Sequence, residues 1–111
     1  MRKILVIGSG KSTSYLIKYL LDKSEAENLF ISIGDINIDH ANQLIKNHKN
    51  ATAFVLDIFD KKSRNEAIKN ADIVISMLPA RLHIDVAKDC LSFNKHMVTA
   101  SYVSPEMEAL N

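Results

Sequence analysis

The 111-residue sequence predicts an α/β fold: a doubly wound parallel sheet of about five strands in a three-layer α/β/α arrangement. Three observations predict it. Short apolar runs alternate with helical patterns about every 20 to 25 residues, the signature of βαβ units. The first run, Ile4-Leu5-Val6-Ile7, is continuous rather than alternating, as a strand buried on both faces requires. It enters Gly8-Ser9-Gly10 and then a helical pattern at once, and such a turn aims backbone N–H groups at an anion.

The elements follow in order. Residues 12–23 read as a helix, with Leu16, Ile17, Leu20 and Leu21 on one face. Leu29-Phe30-Ile31-Ser32-Ile33 is a second strand, closed by Gly34-Asp35. Asn37 or Asp39 caps a second helix whose inner face is Ala41, Leu44 and Ile45. Residues 53–56 form a third strand ending in Asp57, and residues 61–69 a short helix with Ala67 and Ile68 inward. Residues 73–77 are the fourth strand, stopped by Leu78-Pro79. Residues 81–93 are a helix with Leu82, Val86, Ala87 and Leu91 inward, and residues 97–99 a fifth strand. Ser104-Pro105-Glu106 starts another helix, serine as N-cap and proline at the first helical position. Crossovers should be right-handed.

Composition bounds the function. The chain is 47% hydrophobic and 24% charged with net charge +1, ordinary for one globular domain. No basic stripe is present, which argues against a nucleic-acid partner. The apolar run after Met1-Arg2-Lys3 is too short for a signal peptide, and nothing approaches a membrane span. A single cysteine, Cys90, excludes an internal disulfide and suits a cytoplasmic location; it reads as a half-buried small hydrophobe on a helix. Because a helix start stands so near residue 111, the expectation is one dinucleotide-binding domain, 1–111, cut from a longer chain whose substrate domain is absent.

Two phosphate motifs compete for the glycine turn. Gly10-Lys11-Ser12 looks like the end of a Walker A loop, and Phe54-Val55-Leu56-Asp57 like a Walker B strand. The first Walker glycine would fall on Leu5, inside the strand, so spacing removes this reading. The dinucleotide fingerprint G-x-G-x-x-G/A fits Gly8 and Gly10, with Thr13 at the third place. This is the turn of a Rossmann-type sheet. A β-branched Thr13 takes more room than the small residue expected there, so the helix should stand slightly further off. Ser9, Ser12 and Thr13 offer hydroxyls or backbone N–H groups to a pyrophosphate. Lys11 adds positive potential or is simply solvated.

Ligands of such sheets bind beyond the carboxyl ends of the strands. Asp35 ends the second strand and reads as a carboxylate placed to hydrogen-bond the adenosine ribose, or as a turn residue after glycine. Ile36 and the residues after it bring no Arg or Lys to neutralise a 2′-phosphate, so local charge favours NAD over NADP. Asp57 reads equally as an acceptor for the adenine amino group, with Ile58 on the base edge, or as a turn residue. Met77-Leu78-Pro79 offers backbone to the ribose or merely terminates a strand. Thr99, Ser101 and Tyr102 lie where the nicotinamide should reach. His83 lies near the same trough, or is a plain helix-start residue. His40, His48 and His96 lack metal-ligand spacing with Cys90, so no metal site is read. No nucleophile–base arrangement can be argued from spacing, and the catalytic residues stay unassigned.

Three pieces carry a family resemblance: Asp72-Ile73-Val74-Ile75-Ser76-Met77-Leu78-Pro79, then His83, then Val98-Thr99-Ala100-Ser101-Tyr102-Val103-Ser104-Pro105. With the Gly-Ser-Gly turn and Leu56-Asp57 in register, the chain resembles the saccharopine dehydrogenase family, in its saccharopine reductase branch. The resemblance implies pyrophosphate on Gly8 and Gly10, adenine against Asp57 and Ile58, ribose along Leu78 and Pro79, and nicotinamide near residues 99–102. It implies an NAD(P)-dependent oxidoreductase of lysine metabolism acting on CH–NH bonds. Hydride would pass between nicotinamide and an amino-acid-derived secondary amine whose pocket a second domain builds. The isolated domain would then bind cofactor without turnover. NADP-using members tend to carry an Arg where this sequence has Asp35-Ile36-Asn37, so NAD is favoured here. A homodimer is a further expectation. The alternatives are a regulatory NAD-sensing module without catalysis, against which Ser101-Tyr102-Val103-Ser104-Pro105 speaks, and a scaffold that no longer binds cofactor.

Overall fold

The computed structural model describes residues 2–8, 11–46, 48–78 and 83–99, with backbone only for residues 11, 12, 83 and 99. The first strand, β1 (Arg2–Ile7), is the centre of the sheet. Its apolar run is explained by alternation across two faces. Ile4 and Val6 belong to one core cluster, Leu5 and Ile7 to the other, and all four are at most 6% exposed.

The remaining elements are α1 (Lys11–Ser24), β2 (Leu29–Asp35), α2 (Ile38–Ile45), β3 (Ala51–Val55), α3 (Lys61–Lys69), β4 (Ile73–Ser76), α4 (His83–Ser92) and β5 (His96–Thr99). All strand pairs are parallel, in the order β3-β2-β1-β4-β5. Order reverses between β1 and β4, so the crevice for a ligand opens beyond the carboxyl ends of these strands. One layer packs Ile17 and Leu20 of α1 and Ala41 and Ile45 of α2 on Leu29, Ile31 and Ile33. The opposite layer packs Ile68 of α3 and Val86 and Cys90 of α4 on Leu5, Ile7 and Val74. This is the α/β/α arrangement the alternation predicts.

Asn37 caps α2, its side chain accepting from His40 N at 3.1 Å. Asp60 caps α3 through Lys62 N and Ser63 N. Each cap satisfies donors that a helix start leaves orphaned.

The structure corrects several details. The third strand runs from Ala51 to Val55, so Asp57 stands two residues past its end. Met77 follows β4 rather than ending it, although its N–H still donates to Ile7 O at 2.9 Å. Leu91 is not inward but 79% exposed. Five positions on from Val86 carry it about 140° round the helix, while the fourth, Cys90, returns to the same face. Cys90 is accordingly buried fully, at 2% exposure, rather than by half. Leu82 and the helix start at residues 104–106 lie outside the described residues.

Candidate functional site

Two glycines shape the crevice. Gly8 follows β1 at φ +96°, a conformation L side chains rarely adopt, and donates its N–H to Gly34 O at 2.9 Å. Gly34 has ordinary dihedrals but no room: a Cβ there would sit 2.7 Å from Leu56 Cδ2 and 3.1 Å from Phe54 Cζ. The missing side chain lets the segment after β3 close over the end of β2, where Leu56 N donates to Asp35 O at 3.0 Å.

The result is a cleft of about 400 Å³ at the carboxyl ends of β1, β2 and β3. Gly8, Asp35, Ile36, Asp57, Ile58 and Leu78 all line it, so six residues from four separate stretches of sequence meet here. Ile7, Gly34, Leu56 and Phe59 complete the wall. Asp35 Oδ1 accepts from Asn37 N at 3.0 Å, which ties the carboxylate to the turn leading into α2. Asp57 Oδ1 accepts from Phe59 N at 3.0 Å, and its carbonyl accepts from Asp60 N at 3.0 Å. Asp57, itself an exposed residue, therefore serves its own turn. Both readings offered for Asp57 are compatible with that geometry.

Other residues expected at the site stand apart from this cleft. Thr13 is 1% exposed in the first turn of α1, so its hydroxyl is buried rather than presented to a ligand. Lys11 and Ser12 begin α1, and Thr99 closes β5 in register with Ser76. Thr99 is thus two strand spacings, about 10 Å, from Ile7 across the sheet. Met77 turns its side chain into the α1/α2 core, while Leu78 packs with the α3/α4 core and reaches the cleft. His83 begins α4. Ser9, Gly10, Pro79, Ser101 and Tyr102 lie outside the described residues.

The sequence reading missed Phe59, Arg64 and Asp89. Phe59 is 76% exposed on the cleft rim, an aromatic between two turn-forming aspartates with no periodic partner to flag it. Arg64 is 8% exposed and pairs with Asp89, also 8% exposed, on α4. Its signal was spacing: it precedes the inward Ile68 by one helical turn. Cys90 touches this region too. Burial raises its thiol pKa above the ordinary value and the Asp89 carboxylate adds to the effect, so the thiolate is disfavoured. Among the described residues no three His, Cys, Asp or Glu groups assemble as a metal site, and no helix is long and apolar enough to cross a membrane.

A parallel sheet with a glycine turn on its central strand and a cleft between carboxylate-bearing strand ends defines a Rossmann-type nucleotide-binding domain. The family model "Saccharopine dehydrogenase NADP binding domain" matches residues 4–111, and the chain belongs to that family. It is 35% identical over 109 residues to the mitochondrial alpha-aminoadipic semialdehyde synthase of Rattus norvegicus, covering 98% of this chain and 11% of the rat protein. It is 31% identical to saccharopine dehydrogenase [NADP(+), L-glutamate-forming] of Schizosaccharomyces pombe, covering 99% of this chain and 24% of that one. Among solved structures, apo saccharopine dehydrogenase (L-Glu forming) of Saccharomyces cerevisiae superposes with a TM-score of 0.81 at 25% identity, over 99% of this chain and 24% of that chain. The chain thus spans about a tenth to a quarter of the length of these relatives.

Proposed function

We propose that this chain is the cofactor-binding domain of an oxidoreductase acting on CH–NH bonds. Its nicotinamide would exchange hydride with an amino-acid-derived secondary amine of the saccharopine kind. The carrying observation is the cleft that unites Gly8, Asp35, Ile36, Asp57, Ile58 and Leu78 in a member of this family. Redox chemistry belongs to the nicotinamide, so the domain's own task is binding and orientation. The substrate pocket and the acid–base group belong to a second domain. The domain alone binds dinucleotide and turns nothing over, and the whole enzyme works in the cytoplasm, with a homodimer as its expected assembly.

Within the cleft the adenosine ribose lies against Asp35 and adenine lies between Ile36 and the Asp57–Ile58 turn. The pyrophosphate lies at Gly8 and the start of α1, where residues 9–13 supply N–H groups. The ribose of the nicotinamide half passes Met77, Leu78 and Pro79, and its ring reaches Thr99, Ser101 and Tyr102. The family is named for NADP, as is the Schizosaccharomyces pombe relative. The lining favours NAD, because it holds two carboxylates and neither Lys nor Arg. A dianionic 2′-phosphate about 6 Å from one carboxylate loses ~1.4 kcal/mol even at the dielectric of bulk water, which is roughly tenfold in affinity.

Calorimetric titration with each dinucleotide tests both levels. NAD is expected to bind at least about tenfold more tightly than NADP. Tighter NADP binding would refute the charge argument and leave the domain assignment standing. Failure of both to bind would refute the assignment itself.

A further inference from the structure

The buried ion pair between α3 and α4 reaches further than the two helices it joins. Arg64 Nε donates to Asp89 Oδ2, and Arg64 Nη1 donates to the carbonyl of Ile58 at 2.7 Å. Asn65, with its amide nitrogen turned toward the carboxylate, donates to Asp89 Oδ2 at 2.9 Å. Ile58 sits in the cleft wall, in the turn whose other bonds come from Asp57 alone. We propose that Arg64, aimed by Asp89, is a positioning residue that sets the cleft wall at Asp57–Phe59 and so tunes recognition of the adenine base. The inference rests on adenine occupying this cleft.

Three features carry it. The guanidinium is a planar fork, so fixing Nε on one carboxylate fixes the direction in which Nη1 points. A salt bridge needs only the first of those bonds; the second goes to a backbone carbonyl on a third element. The arrangement has no substitute, because the half-buried Ile58 carbonyl has no other hydrogen-bond donor among the described residues. Lose that donor and the carbonyl must turn toward water, which rotates the peptide carrying Phe59 N. That N–H is the one Asp57 Oδ1 accepts, so Asp57 and Phe59 move with it.

The test compares two dinucleotides that differ at the base: the better-binding of NAD and NADP, and its hypoxanthine analogue. The analogue presents a carbonyl where adenine presents an amino group, so the affinity ratio reports the base-edge contact. Arg64→Lys keeps a charge for Asp89 but lacks the fork. It is expected to hold the urea midpoint near wild type while the adenine-to-hypoxanthine ratio falls about tenfold. Arg64→Met combined with Asp89→Leu replaces the ion pair by apolar volume, an exchange that often preserves stability. It leaves Ile58 without its donor, so its ratio is expected to stay collapsed even where its midpoint matches wild type. A wild-type ratio in either variant overturns the positioning role and shows the pair to be purely structural. A wild-type chain that binds both dinucleotides equally overturns the adenine placement in this cleft, and the positioning role with it.

Discussion

The two helix layers solve the same problem with different materials. The layer of α1 and α2 meets the sheet through uncharged, mostly aliphatic side chains: Ile17, Leu20, Ala41 and Ile45 meet Ile4, Val6, Ile31 and Ile33, and its buried polar residues, Thr13 and Ser24, carry no charge. The layer of α3 and α4 carries Ile68 and Val86 but also Arg64, Asp89 and Cys90 in its interior. Apolar packing is non-directional and holds α1 and α2 wherever they fit best. A buried ion pair is a weak source of stability, but it specifies direction. The layer with charged contents is the one whose preceding turn, residues 57–59, forms a wall of the cleft. The difference teaches that both faces hold the fold by apolar packing, while the charged pair of one face adds direction to the Asp57–Phe59 wall of the cleft.

That contrast can be broken at its aliphatic side first. Ile17→Ala, at a fully buried position, should cost about 2–5 kcal/mol in urea denaturation. A loss under about 1 kcal/mol would mean that α1 is not bound by this packing. Gly34→Ala should cost less, about 1–3 kcal/mol, by pushing Leu56 and Phe54 away from the end of β2. It should weaken dinucleotide binding as well, since Leu56 lines the cleft; unchanged binding would show the cleft to tolerate the shift.

The polar side is sharpened by pH. The folded state holds the Cys90 thiol pKa above its unfolded value, so the folded protein keeps the proton longer. Its contribution is complete below the unfolded pKa, about 8.5, and is lost as pH rises through the folded one. Denaturation midpoints should therefore fall above about pH 8.5 in wild type, and fall less in Cys90→Ala. An identical slope in both would assign the loss to other groups. The smallest effect belongs to neither layer's interior. Lys49 and Glu25 pair at 3.5 Å with both side chains largely exposed, and Lys49→Ala should change stability by about 0–1 kcal/mol. A larger loss in a double-mutant cycle would give the surface a share in the fold.

Much of this was legible in the residues. Ile4 to Ile7 announced a strand buried on both sides because two faces each take every second side chain. Gly8 marked the turn, and the rule that ligands gather at strand ends singled out Asp35, Ile36, Asp57 and Leu78, which share one cleft. What escaped depended on angles the sequence does not display. Leu91 was given an inward position because it is apolar, although its rotation about α4 turns it to solvent. Arg64 was passed over because a charged side chain suggests a surface, although its spacing from Ile68 is that of an inner face. Thr13 was expected to offer a hydroxyl or its backbone N–H to phosphate, and its burial in the first turn of α1 takes up the hydroxyl. Phe59 belongs to no period at all, and only the closing of the segment after β3 brings it to the cleft.

The central place of β1 has a consequence in time. Ile4 pairs with Ile31 on one side and with Ile73 on the other, partners 27 and 69 positions away in the chain. Closing the longer loop has the greater entropic cost, and pairings of high sequence separation slow folding. The β1–β2–β3 half should therefore assemble ahead of β4. In pulse-labelling hydrogen exchange, the amides of β2 should gain protection before those of β4, and simultaneous protection would refute that order. Leu78 arrives only with β4, so the last wall of the cofactor cleft is set by the slowest pairing in the sheet. A dinucleotide has its full seat only once that pairing has formed, which makes the ligand a reporter of completed folding.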